Sequence, residues 1–118
     1  MKYLGLIIGT LIISTLVVST TGFTSDVGML LKDGKSAIEK GEYEKAVDCL
    51  GKILEISGDK SNDQEIVAFG STVQAVGLIQ MNNSQMNQII RQYLQNAIDK
   101  DGEWEYPKKL LKKVNNQN

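Results

Sequence analysis

Apolar residues recur along most of this chain at intervals of three and four, which is the spacing of one helix face. Leu30, Leu31, Gly34, Ala37 and Ile38 form a first stripe, stopped at Gly41. Tyr43, Ala46, Val47, Leu50, Ile53 and Leu54 form a second, stopped near Ser57-Gly58-Asp59. A third helix is expected from a capping box at Ser61/Gln64 or Asn62/Glu65, running through Ile66, Phe69, Gly70, Val73, Val76 and Gly77 to about Met81. Asn82-Asn83-Ser84 interrupts the pattern and offers an N-cap. A fourth stripe follows as Met86, Ile89, Ile90, Tyr93, Leu94, Ala97 and Ile98, stopped by Gly102. A short fifth helix is expected from Pro107, with Leu110, Leu111 and Val114 on one side. No strand-like alternation occurs. The expected fold is all-α: two antiparallel helical hairpins plus a C-terminal helix, joined by short loops.

The first 22 residues differ from the rest. Lys2 precedes an apolar run from Leu4 to Val18, and small polar residues begin at Ser19. One cation, an apolar stretch and small residues downstream make a secretory signal pattern, with cleavage expected after Gly22 or near Ser19. An uncleaved anchor is the alternative, because twenty residues at about 1.5 Å each just span a hydrocarbon core of about 30 Å. With no cysteine after the run, lipid attachment of the lipoprotein kind is excluded. Either way the positive end stays inside and the chain after Asp26 is exported, to a periplasmic or extracellular location. The expected organisation is therefore a leader or anchor over residues 1–22, a helical domain over 28–102, and a C-terminal helix with a polar tail over 103–118.

Composition narrows the chemistry. The 118 residues hold no histidine and a single cysteine, Cys49. The commonest general base and metal ligand is thus missing, and neither a disulfide within the chain nor a zinc site can be assembled. Net charge is -1, and without Lys2 twelve basic residues face fourteen acidic ones. No basic field points to nucleic acid. Glu39, Glu42 and Glu44 cluster near the first turn but lack a partner that would make them an acid–base pair. The sequence therefore predicts no enzyme, no catalytic or metal residues and no cofactor. Cys49 reads as an inert thiol beside the second stripe.

The stretch GKSAIEKGEYEKAVDCLGKILEI carries one more feature. Gly34, Gly41, Ala46, Leu50 and Ile53 have a spacing in which a small residue at Gly34 admits the second helix, Ala46 faces it, and Leu50 and Ile53 fill the space beyond. This stretch resembles a tetratricopeptide repeat, most closely at Gly41-Glu42-Tyr43-Glu44-Lys45-Ala46. Asp33, Ala37 and Gly58 stand where that family carries a large aliphatic residue, an aromatic and a proline. A looser second copy has Gly77, Ser84, Ile89 and Tyr93 in register, and 43 positions separate Gly34 from Gly77, against a usual period of about 34. The resemblance implies a concave groove lined by the first helix of each hairpin, with Leu31, Lys35 and Ile38 from the first and Gln74, Leu78 and Met81 from the second. Such a groove binds a peptide or helix of another protein. Two units fall short of the three or so that bury a continuous core, so a partner, another copy of the chain, or the tail is expected to cover the rest.

Two further features complete the sequence reading. Lys108, Lys109, Lys112 and Lys113 surround the apolar residues of the fifth helix. This tail is expected to fold back with Trp104 and Tyr106 as packing anchors, leaving a basic face of the kind that meets solvent, anionic lipid or an acidic partner. Residues 66–98 carry one formal charge, Arg91, among many Asn and Gln, which is read as compositional bias. The function expected from all this is a small exported or membrane-tethered adaptor binding another protein. The alternative is an accessory subunit of an envelope complex held by an uncleaved N-terminal helix.

Overall fold

The computed structural model describes residues 20–58 and 63–116, so residues 1–19 and the expected cap at Ser61 or Asn62 lie outside the described residues. The described residues are all-helical: α1 (Thr20–Glu39), α2 (Tyr43–Ser57), α3 (Gln64–Gln80), α4 (Asn87–Lys100) and α5 (Glu105–Asn116), with one 3-10 turn, Ser84–Met86. α1 runs through the expected boundary at Gly22.

The stops follow from backbone chemistry. Gly41 and Gly58 end α1 and α2 at φ of 83° and 79°, a region closed to most side chains and free to glycine. The Gly58 N–H donates to the Leu54 carbonyl at 2.7 Å. α3 is capped by Asp63, whose carboxylate accepts from the Glu65 and Ile66 amides at 2.9 and 3.3 Å. In the break before α4, Asn82 takes the left-handed conformation at φ 53° and Asn83 accepts from the Gln85 amide at 3.0 Å. α5 begins at Glu105, two residues ahead of Pro107. The proline still falls in the first turn, where its missing N–H has no acceptor to lose.

α1 packs most extensively on α2, α3 on α4, and α5 on α4. α3 is the shared element. Its Ile66, Phe69 and Val73 join Leu31, Ala37, Ile38, Ala46, Ile53 and Trp104 in one apolar cluster. Its Ala75, with Leu78 and Ile79, joins Ile90, Leu94 and Val114 in another. A helix buried on both sides has no room for charges. The charge-poor half of residues 66–98 therefore has a packing cause that compositional bias does not supply. The α3 hydroxyls are also satisfied inside: Thr72 bonds back to the Ala68 carbonyl at 2.8 Å, and Ser71 accepts from the Asn96 amide at 2.8 Å.

The contacts at Gly34 differ from the expected pair with Ala46. A methyl group built there would collide first with the Phe69 ring of α3, and next with Cβ of Cys49, at 3.1 Å. Gly34 thus makes room chiefly for α3. Gly77 does the same for Tyr43, whose hydroxyl would lie 2.6 Å from an added Cβ. Two stripes also overrun the core. Val47 and Leu54 on α2 and Ile89 on α4 stay 41, 36 and 42% exposed. Ile89 lies about 100° around the helix from Ile90, beyond the line along which α4 meets its neighbours.

Candidate functional site

The residues expected to line the groove sit in three different settings. Leu31 and Ile38 are core side chains, and Ile38 is among the largest that are fully buried. Lys35 is held by the turn between α4 and α5: its Nζ donates to Asp101 at 2.9 Å and lies 4.9 Å from the centre of the Trp104 ring. Trp104 is itself buried. Its indole N–H donates to Glu39 at 2.7 Å, and its ring lies 6.3 Å from Phe69 and 6.0 Å from Tyr106. The turn from Asp101 to Tyr106 therefore covers this part of α1 from within the chain. Gln74 is exposed on α3 and Met81, just past it, is 64% exposed. Leu78 is half-buried over a cavity shared with Ile79, Asn87, Ile90 and Val114. Among the described residues no single cavity gathers the six.

Spacing did not reveal Trp104 as the covering group. Its expected role as a packing anchor placed it against the domain without saying where. The nearest signal is the order Asp101, Gly102, Glu103, Trp104, an acidic turn ending in an aromatic.

Two further depressions lie against α2 with apolar residues in their walls. One lies between α2 and α3, with Leu50 and Leu54 on one wall, Ile66 and Val67 on the other, and Gly70, Ser71 and Gln74 between them. At about 230 Å³ it is smaller than the roughly 300–1,000 Å³ of sites that enclose a drug-sized ligand. It suits one or two side chains projecting from a partner. The other, between α1 and α2, joins Met29, Leu30 and Ile56 to Asp26, Asp33, Glu55 and Lys52. Among the described residues no group of three or more His, Cys, Asp or Glu is placed to hold a metal ion. No helix among them is long and apolar enough to cross a membrane.

Among the described residues, Cys49 and Tyr106 are displaced from their ordinary ranges. Burial pushes the Cys49 thiol up, and the carboxylates of Asp33 and Asp48 push it further, against Lys45 and Lys52. Burial also raises the Tyr106 phenol, with Glu39 adding to it. Both groups hold their protons more tightly folded than unfolded. Their contribution to stability is complete below the ordinary values, about 8.5 for a thiol and about 10 for a phenol, and is lost as pH rises through the folded ones. Urea midpoints measured from pH 7 to 11 are expected to fall above about pH 9. A Cys49→Ala, Tyr106→Phe double variant should lose less over that range. If it declines as steeply as the wild type, other groups carry the loss.

Comparison with protein-family models, with curated proteins and with solved structures finds no match.

Proposed function

We propose that this chain is a small exported or membrane-tethered interaction module that holds an amphipathic segment of another protein between α2 and α3. The observation that carries the reading is the groove itself. Apolar side chains from two helices, Leu50 and Leu54 on one and Val67 on the other, stay partly open to water over a floor that includes the buried Ile66, with a glycine between them. A partner's apolar side chains placed there would remove that surface from solvent at about 25 cal/mol per Å². Gln74 supplies a polar handle at the rim.

The pairing of α1 with α2 and of α3 with α4 supports two tetratricopeptide-like hairpins, as do the left-handed Gly41 and the tight contact at Gly34. In this reading Trp104 and α5 stand in for a missing third unit. The binding face then shifts from the inner side of α1, which the chain covers itself, to the joint between the two hairpins. Delivery rests on residues 1–22: cleaved, the module diffuses; retained, it stays at the membrane.

The test places a photo-crosslinking residue at Gln74 in the intact chain, in its native cells, with intact mass reporting the fate of the leader. One partner should be captured at Gln74 and not from a control position at Lys32. Within 4 Å a Cβ at Gly70 meets only Leu50 carbons, at 3.7 Å or more, so Gly70→Leu enters the groove without a clash at its first carbon. Capture should then drop tenfold or more, equivalent to about 1.4 kcal/mol, with the melting temperature unchanged or raised, since leaving glycine in a helix returns about 1 kcal/mol. Undiminished capture by a folded Gly70→Leu chain would sink the groove reading.

A further inference from the structure

α5 divides its surface in two. Pro107 and Val114 are buried, and Leu110 and Leu111 pack with Val114 against Ile90 and Leu94 of α4. Lys108, Lys109, Lys112 and Lys113 occupy the opposite side, within an arc of about 140° at about 100° per residue. Lys109, Lys112 and Lys113 are exposed. Among the described residues only Lys108 of the four has an ion pair, with Glu105 at 3.2 Å. Arg91 of α4 adds a fifth cation beside the last turn, where its Nε donates to Asn115 at 2.9 Å.

We infer that this lysine face adsorbs to an anionic membrane surface by meeting phospholipid phosphates, without inserting into the bilayer. The apolar half of α5 is already consumed by α4, so nothing on the helix is left to enter the acyl region as a free amphipathic helix would. What remains is electrostatic. Lysine ammoniums are compact, rotatable charges that need no fixed counterpart geometry, which suits a fluid sheet of phosphates. A folded acidic partner would need apolar anchors beside the charges to gain lasting affinity, and those of α5 are already packed against α4. The cavity beneath Val114 is lined by Leu78, Ile79, Ile90 and polar residues, with no lysine. Nucleic acid is disfavoured by the net charge of -1 and because the neighbouring aromatics, Trp104 and Tyr106, are packed together and cannot stack on bases. The inference rests on the proposed function only for delivery to a membrane, and the α2–α3 groove plays no part in it.

The test is a lysine-acetylation footprint of the intact chain on vesicles, read by mass spectrometry. Phosphatidylcholine vesicles with about one-third phosphatidylglycerol are compared with phosphatidylcholine alone. Lys32, Lys40 and Lys52, which lie outside α5, serve as controls within the chain for any recruitment that residues 1–22 cause on either lipid. Lysines near an anionic surface each contribute a factor of about five in binding. Lys109, Lys112 and Lys113 should lose reactivity on the anionic vesicles relative to the three control lysines, regain it in 0.5 M salt, and lose the effect in Lys109→Glu, Lys112→Glu, whose two removed cations alone should weaken binding by more than about tenfold. Equal reactivity on both vesicles, or protection that persists in high salt, overturns the inference. Neither outcome bears on the Gly70→Leu experiment, so the two readings fail separately.

Discussion

Replacing Trp104 by alanine is expected to destabilise the domain by about 3–5 kcal/mol, the range for deleting a large aromatic from a core. A domain of this size has roughly 5–15 kcal/mol in total, so the variant should lose about a third of its stability at the upper end of that cost, and more where the total is small. The indole holds three things at once. It packs against Phe69 of α3, covers Lys35 of α1, and donates to Glu39 at the end of α1. Trp104→Phe keeps most of the ring contact and loses the N–H, with an expected cost of about 1–2 kcal/mol. The measurement is urea unfolding followed by far-UV circular dichroism, because the only tryptophan is the one removed. An alanine variant within 1 kcal/mol of wild type would show that the turn does not hold α1 and α3 together.

Gly34→Ala is expected to destabilise despite alanine's higher helix propensity. The added methyl would meet the fully buried Phe69 ring, one ring carbon at 2.9 Å and another closer still. Overpacking of this kind costs about 1–3 kcal/mol, while leaving glycine in a helix returns about 1 kcal/mol. The net expectation is a loss of up to about 2 kcal/mol. The sharper result is the double variant. In a Phe69→Leu background the ring carbons are gone, so Gly34→Ala should turn neutral or mildly stabilising. The two substitutions then couple by more than the ~0.5 kcal/mol within which independent sites add. Additive effects would mean that the clash lies with Cys49 and not with α3.

Both residues show where sequence spacing stops being informative. Gly34 stands out in the sequence as a small residue at a helix contact. Its principal neighbour, Phe69, belongs to a helix 35 positions away. The face of α1 carrying Leu31, Lys35 and Ile38 is likewise visible from their intervals. What covers it is not, because the bonds from Trp104 to Glu39 and from Asp101 to Lys35 bridge 65 and 66 positions. No periodicity encodes a contact of that separation. Val47, Leu54 and Ile89 make the same point in reverse, since all three belong to apolar stripes and remain exposed.

The sequence by itself determined the helices and most of their ends, the cap of α3 at Asp63 and the start of α5 at Glu105 excepted. The three- and four-residue intervals match the 3.6-residue turn, and Gly41, Gly58 and the Asn82–Ser84 break act on the backbone of their immediate neighbours. These are local effects, legible wherever the residues occur. Only the tertiary structure decided which apolar faces become core, that α3 lies between two clusters, and that Trp104 covers α1 while the α2–α3 joint stays open. Those outcomes depend on which surfaces meet, and burial is a property of the pair and not of either helix alone.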